Sequence, residues 1–398
     1  MKEIITRITL TSDQVSFLPL IPDKTLFADI ETTGLSSAKD QIYCIGTSYI
    51  ETFDTQTSNA ITSNTQTLYT KTADYVICQL FAESTEEEPL ILQKFLVLLK
   101  DRQIETLLTF NGASFDLPFL KKRCESFSLN FNPALFLHID LYQEARFCQP
   151  LLGFTGLKQK QIEAFFHADR KDEYSGKELI EVYRQYLKEP KEELLHLLLL
   201  HNLDDMKGMY ELLSIRCYLK FLQGNFQIKK AELESDIDYE GNQKLYLTLQ
   251  LDLYSMLPRN ITLIKPDIQI LLKKNRGLIR IPVLSAALKY FLKDFKNYYY
   301  LPEEDTVIHK SVGQYVDSGY KIPACKENCC LKKEGYFIRL IHAGNLPYFQ
   351  EHYKSKNFYF DVSDLQPFPG RPFKQKKDLM QNLSAVLSDY LKHLKKLV

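Results

Sequence analysis

Apolar and polar positions follow one rhythm in the first half of the chain and another in the second. Residues 25–30 (TLFADI) form a short, nearly continuous apolar run behind Pro22-Asp23, the pattern of a strand buried on both faces. Residues 41–50 (QIYCIGTSYI), rich in aromatic and β-branched side chains, predict a second strand, and residues 74–81 a third. The stretch 51–72 between them is dominated by Thr, Ser, Asn and Gln and predicts a long hairpin tip or mobile insertion. ESTEEEP then opens a helix reaching about Lys100; Ser84 with Glu87, or Thr85 with Glu88, has capping-box spacing. Strands over 106–110 and 137–141, a helix over 115–124, and helical stretches near 158–167, 176–187 and 190–213 complete this half. Three consecutive strands followed by strands alternating with helices predict an α/β domain with a mixed, five-stranded sheet flanked by helices.

From about Gln227 the texture changes. KLYLTLQLDLYSML alternates as a half-exposed antiparallel strand does, and ITLIKPDIQILL and GLIRIPVL continue in that style. Helical pieces are expected near 284–295, and an amphipathic, Lys-rich helix over 374–398. The expected organisation is a lead segment (1–22), an α/β domain (23–215), a boundary within 216–228, and a smaller β-rich (α+β) accessory domain (228–398). No internal repeat is evident.

Composition narrows the classes. Among 398 residues, Lys plus Arg total 50 and Asp plus Glu total 50, so the formal net charge is zero. That balance excludes a protein held on nucleic acid by bulk charge alone, while permitting a local basic track. Hydrophobic residues at 45% and charged residues at 25% exclude a wholly disordered chain. The eight cysteines show no secretory framework, the first residues show no apolar signal core, and no run is long enough to span a bilayer. A cytoplasmic, reduced protein without a membrane partner is expected. Cys325, Cys329 and Cys330 cluster between His309 and His342, but one C-x₃-C pair without a second is read as incidental thiols.

Three features carry candidate chemistry. Asp29 and Glu31 stand two apart on a strand, so both carboxylates point to one face. Two acids side by side near a buried sheet repel, which suits a divalent cation; a solvated strand end is the bland alternative. In TFNGASFDLPFLKK, Asn111-Gly112 closes a strand and Asp116 follows Phe115, either as a functional acid or as the cap of a helix. The apolar helix over 190–213 carries His201 and Asp205 four apart on one face, with Gly208 allowing close approach. His196 and Asp204 are read as structural.

FADIETTGL, TFNGASFD and HNLDDM, in that order, resemble the three motifs of the DEDD-superfamily 3′–5′ exonucleases, whose fold is RNase H-like. HIDLYQEARF, GLKQKQIEAFF and RKDEYSGKELIEVY are similar to the YprB-like bacterial branch, so the resemblance covers roughly residues 20 to 215. It implies that Asp29, Glu31, Asp116 and Asp205 hold two Mg²⁺ or Mn²⁺ ions, and that His201 orients or deprotonates the attacking water. His201 lies four residues before Asp205, the spacing of the superfamily's Tyr members rather than its His members. Thr32, Thr33 and Leu35 fall where the family places residues near the terminal nucleotide, though a strand-end turn with Gly34 explains them equally. Asn111 and Phe115 are further candidate substrate contacts, Phe115 (like Phe110) either stacking on a base or sitting in the core. Lys121, Lys122, Arg123, Lys158 and Lys160 either track phosphates or line solvated helix faces. The expected activity is hydrolysis of single-stranded or 3′-terminal DNA or RNA. The alternatives are a catalytically weak or inactive nucleic-acid-binding scaffold and, less favoured, an endonuclease.

Overall fold

In the computed structural model, which describes residues 1–15, 18–57, 68–168, 170–237, 241–365 and 377–397, the chain divides into two units, Met1–Leu219 and Lys220–Val398. The first is built on strands β1 (Lys2–Thr9), β2 (Thr25–Thr32), β3 (Ile42–Thr57), β4 (Leu68–Phe81), β5 (Thr106–Thr109) and β6 (Leu137–Asp140). Its helices are the single turn α1 (Ser12–Val15), then α2 (Glu88–Asp101), α3 (Asp116–Ser126), α4 (Leu141–Leu152), α5 (Gln159–Phe165), α6 (Gly176–Lys188) and α7 (Glu192–Glu211), followed by α8 (Ile215–Leu222). The sheet order is β1-β4-β3-β2-β5-β6, with β2, β5 and β6 parallel and the other pairs antiparallel.

The sheet thus has six strands, not five. The expected lead segment supplies β1, paired along its whole length with β4 from Lys2 opposite Phe81 to Thr9 opposite Asp74. Its alternation, KEIITRIT, buries one face only partly, as an edge strand does. Strands β3 and β4 also run further into the polar Thr-rich stretch than expected, with Thr57 opposite Leu68. The remainder of the expected hairpin tip, 58–67, lies outside the described residues.

β2 is central and covered on both faces. Leu26 and Ile30 join an apolar layer with Ile91, Leu92 and Phe95 of α2 and Leu117 and Leu120 of α3. Tyr43, Cys44 and Phe81 pack on the other face against Leu179, Tyr183 and Tyr186 of α6 and Leu195 and Leu198 of α7. Phe27 points to this second face, where its ring meets Tyr75 and Tyr210. By the two-residue period, Asp29 and Glu31 point there too, towards α7.

The second unit is β-rich. β7 (Phe226–Ile237), β8 (Gln243–Leu253), β9 (Ile261–Lys265), β10 (Ile268–Lys273), β11 (Arg276–Phe291), β15 (Cys330–Leu340) and β16 (Phe358–Asp361) make one antiparallel sheet. β12 (Tyr298–Leu301), β13 (Thr306–His309) and β14 (Ile322–Pro323) make a small second sheet, and α9 (Lys310–Gly313) is a single turn. The helical pieces expected near 284–295 are absent as α-helix. Residues 283–291 are the second half of β11, paired from Val283 opposite Ile338 to Phe291 opposite Cys330. LSAALKYF has helix-forming composition, and the ladder to β15 overrides it. α10 (Lys377–Lys392) lies within the expected C-terminal helix, of which 374–376 and Val398 are outside the described residues.

Candidate active site

The site begins at the end of β2. Its pairing with β5 reaches only Phe27, so the Ile30 amide lies beyond the parallel ladder and donates to Asp116 Oδ1 at 3.2 Å. Asp116 is the first residue of α3, whose N-cap position is Phe115, so the carboxylate docks on β2 rather than capping its own helix. The turn feeding α3 is pinned by Asp140. Its carboxylate accepts the amides of Asn111 (2.8 Å) and Ala113 (3.2 Å) and also caps α4 through Tyr142 (3.0 Å). Asn111 adopts φ +64°, and a Cβ on Gly112 would lie 2.3 Å from Thr109 Oγ1, so this turn has little latitude.

From the other side α7 brings His201, Asn202 and Asp205. Asn202 is fully buried; its Nδ2 donates to Asp29 Oδ2 at 2.9 Å, and its Oδ1 accepts from Gln79 at 3.1 Å. It fits because residue 46, opposite Asp29 in the ladder, is glycine: a Cβ there would stand 2.4 Å from Asn202 Oδ1. Gly208, nearly a turn beyond Asp205, likewise leaves room for the Glu163 carboxylate.

His201 is buried between three acids. Its Nδ1 lies 2.6 Å from Asp172 Oδ2, while Nε2 lies 3.4 Å from Asp205 Oδ2 and 3.7 Å from Glu31 Oε1. A carboxylate accepts, so Nδ1 carries the proton and Nε2 is turned towards the acids. Asp172 comes from the segment before α6. Asp204 holds that segment by accepting the amides of Lys171 (2.7 Å) and Asp172 (2.8 Å), the structural role expected for it. Arg170 joins the same cluster: one guanidinium nitrogen lies 2.7 Å from Asp205 Oδ1 and 3.3 Å from Asp172 Oδ2, and the other 3.1 Å from Glu163.

The charges are out of balance. Burial pushes the Asp29 carboxyl well above the usual carboxylate range, and Glu31, Asp205 and Asp116 push it further; the Asn202 hydrogen bond opposes this. Burial likewise raises Glu31, assisted by Asp205 and Asp116, with Arg170 opposing. Asp116 is pushed up to about 7, again chiefly by burial, against backbone hydrogen bonds that favour its charged form. Asp172 goes the other way: burial would raise it, yet Lys160 and His201 hold it at about 2. Three neighbouring acids that resist ionisation make a set that a divalent cation would satisfy. One ligand atom each from Glu31, His201 and Asp205 already lies within 4.8 Å of the others. The oxygen-rich donor set fits a hard ion such as Mg²⁺ or Mn²⁺.

Five expected residues, Asp29, Glu31, Asp116, His201 and Asp205, therefore converge from β2, α3 and α7. The expected substrate contacts are placed less distinctively. Thr32 donates to the Gly34 carbonyl (2.7 Å), and Thr33 Oγ1 accepts the Gln41 amide (2.9 Å), so both hydroxyls brace the strand-end turn. Leu35 is 86% exposed beside that turn. Asn111 lies half-buried at the turn before α3, and Phe115 packs against the apolar core with Phe119 at 5.3 Å. Of the basic side chains, Arg123 is committed to a bidentate pair with buried Glu88, and Lys160 to Asp172 and the Tyr174 carbonyl. Arg123 therefore does not face phosphate. Asn202, Asp172, Arg170 and Asp140 are not singled out by the motifs. Asn202 adjoins His201 in sequence, whereas Arg170 and Asp172 lie in RKDEYSGKELIEVY, whose resemblance assigns them no role.

Residues 26–216 match the RNase_H_2 family model, described as RNase_H superfamily, and the N-terminal unit has the corresponding RNase H-like α/β fold. A 48-residue segment is 44% identical to a DNA polymerase of Thermococcus kodakarensis and 42% identical to one of Thermococcus hydrothermalis. Each match covers 12% of this chain and 3% of the polymerase, so the chain spans only a small fraction of the curated relatives it matches. Among solved structures, the family B DNA polymerase of the archaeon Pyrobaculum calidifontis aligns with TM-score 0.33 and 11% identity, over 70% of this chain and 36% of that one. The zinc-bound E. coli ExoI–ssDNA complex aligns with TM-score 0.26 and 9% identity, over 58% and 55%. An ExoI/SSB-Ct complex aligns with TM-score 0.29 and 10% identity, over 94% and 72%. Among the described residues no helix is long and apolar enough to cross a membrane.

Proposed function

We propose that the first unit, residues 1–219, is a metal-dependent 3′–5′ exonuclease domain of the DEDD type, acting on the ends of single-stranded DNA or RNA, with the second unit, residues 220–398, as an accessory domain. The observation that carries this reading is the convergence of Asp29, Glu31, Asp116 and Asp205, where burial and the neighbouring acids oppose the ionisation of Asp29, Glu31 and Asp116. Such a cluster costs the fold stability unless positive charge offsets it, which a bound cation would do.

These four acids would hold Mg²⁺ or Mn²⁺, two ions at full occupancy, with Glu31 and Asp205 nearest to His201. Such ions, when bound, supply Lewis acidity at a phosphate oxygen and ease deprotonation of a water. The protein's own contribution is positional and protonic. Asn202 fixes the Asp29 carboxylate, and the Ile30 amide fixes Asp116. Asp172 accepts a hydrogen bond from the Nδ1–H of His201, leaving Nε2 free to take a proton from a water held between Glu31 and Asp205.

One observation favours the inactive-scaffold alternative: the Arg170 guanidinium already sits 2.7 Å from Asp205 and supplies positive charge that an ion would otherwise bring. A single experiment separates the two. A 5′-labelled single strand is incubated with the purified chain and Mg²⁺ or Mn²⁺, beside Asp29→Ala. A descending ladder that needs the metal and vanishes with the variant supports the exonuclease. Undiminished strand, or a ladder equal in Asp29→Ala, overturns it.

A further inference from the structure

A second cluster of ligating side chains lies in the β-rich unit. His342 follows the end of β15 by two residues, Asp389 lies in the last turn of α10, and His393 comes four residues after Asp389. The His342 Nδ1 stands 3.2 Å from Asp389 Oδ2, and the His393 Nδ1 3.1 Å from Asp389 Oδ1. The two imidazole rings meet edge to face with centroids 4.5 Å apart. One nitrogen of each ring and one carboxylate oxygen all lie within 4.8 Å of one another.

We infer that His342, Asp389 and His393 form a binding site for one divalent transition-metal ion of the zinc class, with water completing the shell. Ligand bonds of about 2.0–2.2 Å in a tetrahedral site set neighbouring ligand atoms roughly 3.3 Å apart. The two imidazole–carboxylate separations are already of that size. The donor types choose the ion. Two imidazoles with one carboxylate favour Zn²⁺, Co²⁺ or Ni²⁺ over Mg²⁺ or Ca²⁺, which take oxygen ligands.

Two further features support the assignment. The ligands rest on a fixed frame: Tyr390, next to Asp389, is buried and donates its hydroxyl to the Arg339 carbonyl at 2.5 Å, joining α10 to the end of β15. Leu387, Leu391 and Leu394 are buried beside it. Second, among the described residues Asp389 has no lysine or arginine partner, so only the two imidazoles face its charge. His393 Nδ1 also lies 2.9 Å from the Asp389 carbonyl, a hydrogen bond that ligation through this nitrogen would replace. A bound ion would tie the chain after β15 to the C-terminal end of α10, so its binding energy would stabilise that docking.

The probe is Co²⁺, titrated into the untagged, EDTA-stripped full chain in excess Mg²⁺, with visible absorption as the readout. One equivalent should develop the d–d bands of a four- or five-coordinate ion, displaced by Zn²⁺. His342 is half exposed, and His342→Ala should weaken Co²⁺ binding by about tenfold or more. Zn²⁺ should raise the melting temperature of the wild type and not of this variant. Asp29→Ala should leave the bands unchanged, which separates this site from the proposed nuclease centre. Absence of bands in the wild type, or the same bands in a His342→Ala/His393→Ala double variant, would overturn the assignment and leave ordinary imidazole–carboxylate hydrogen bonds. Should the alanine variants melt early in EDTA, His342→Gln is compared instead, with the same two outcomes deciding.

Discussion

Replacing Asp116 by Asn should make the metal-free protein more stable while weakening metal binding. The Asp116 carboxyl is raised from an ordinary value of 3.8 to about 7, chiefly by burial. The folded state therefore binds that proton more tightly than the unfolded state does. Below 3.8 both states are protonated and the group costs nothing; above about 7 the full penalty applies. At about 1.4 kcal/mol per pH unit, a difference of some three pH units corresponds to about 4 kcal/mol. That figure is an upper bound, because Asp140 and Asp205 share the repulsion. A gain of about 2–4 kcal/mol at pH 8 is expected, shrinking as the pH falls towards 5. Asn retains an acceptor oxygen for the Ile30 amide, so the docking of α3 on β2 survives. The assay is urea denaturation of both proteins at pH 8 and pH 5, in EDTA and in Mg²⁺. The wild type should gain stability from Mg²⁺ at pH 8, and Asp116→Asn little. If Asp116→Asn is the less stable protein in EDTA at pH 8, the electrostatic reasoning about this cluster is wrong.

Asp172→Asn should lower kcat by about tenfold to a hundredfold with little change in KM, because the His201 tautomer is no longer fixed; steady-state kinetics and imidazole ¹⁵N shifts check both halves. Gly46→Ala should displace Asn202 from Asp29, costing about 1–3 kcal/mol by thermal melting and weakening Mg²⁺ binding by calorimetry. Arg123→Ala should destabilise by about 3–5 kcal/mol in urea, since it strands the buried Glu88 carboxylate, and adding Glu88→Gln should recover some of the loss.

The site residues that the sequence discloses are those whose spacing is locally periodic. Asp29 and Glu31 share a strand face because strands repeat every two residues, and His201 and Asp205 share a helix face because helices nearly repeat every four. Asp116 is legible only as an acid at a helix start. Its placement depends on an amide of β2 that lies 86 residues away in the chain. Arg170 and Asp172 are hidden for the same reason. They sit in a segment without periodicity, and they meet His201 and Asp205 only because Asp204 accepts that segment's amides. In the fold, β1 escapes the pattern because an edge strand needs only a weak alternation. The second half of β11 reads as helix because local composition favours one, and the ladder to β15 does not permit it.

The central claim is that these acids direct metal-dependent removal of nucleotides from a free 3′ end. Matched linear and circular single strands, incubated with the chain and Mn²⁺, test it in one comparison. The linear strand should shorten to mononucleotides and the circle should persist, with both intact in EDTA and with Asp205→Ala. A circle that is opened would reassign the chemistry to internal cleavage, and a linear strand left whole would remove the nuclease reading altogether.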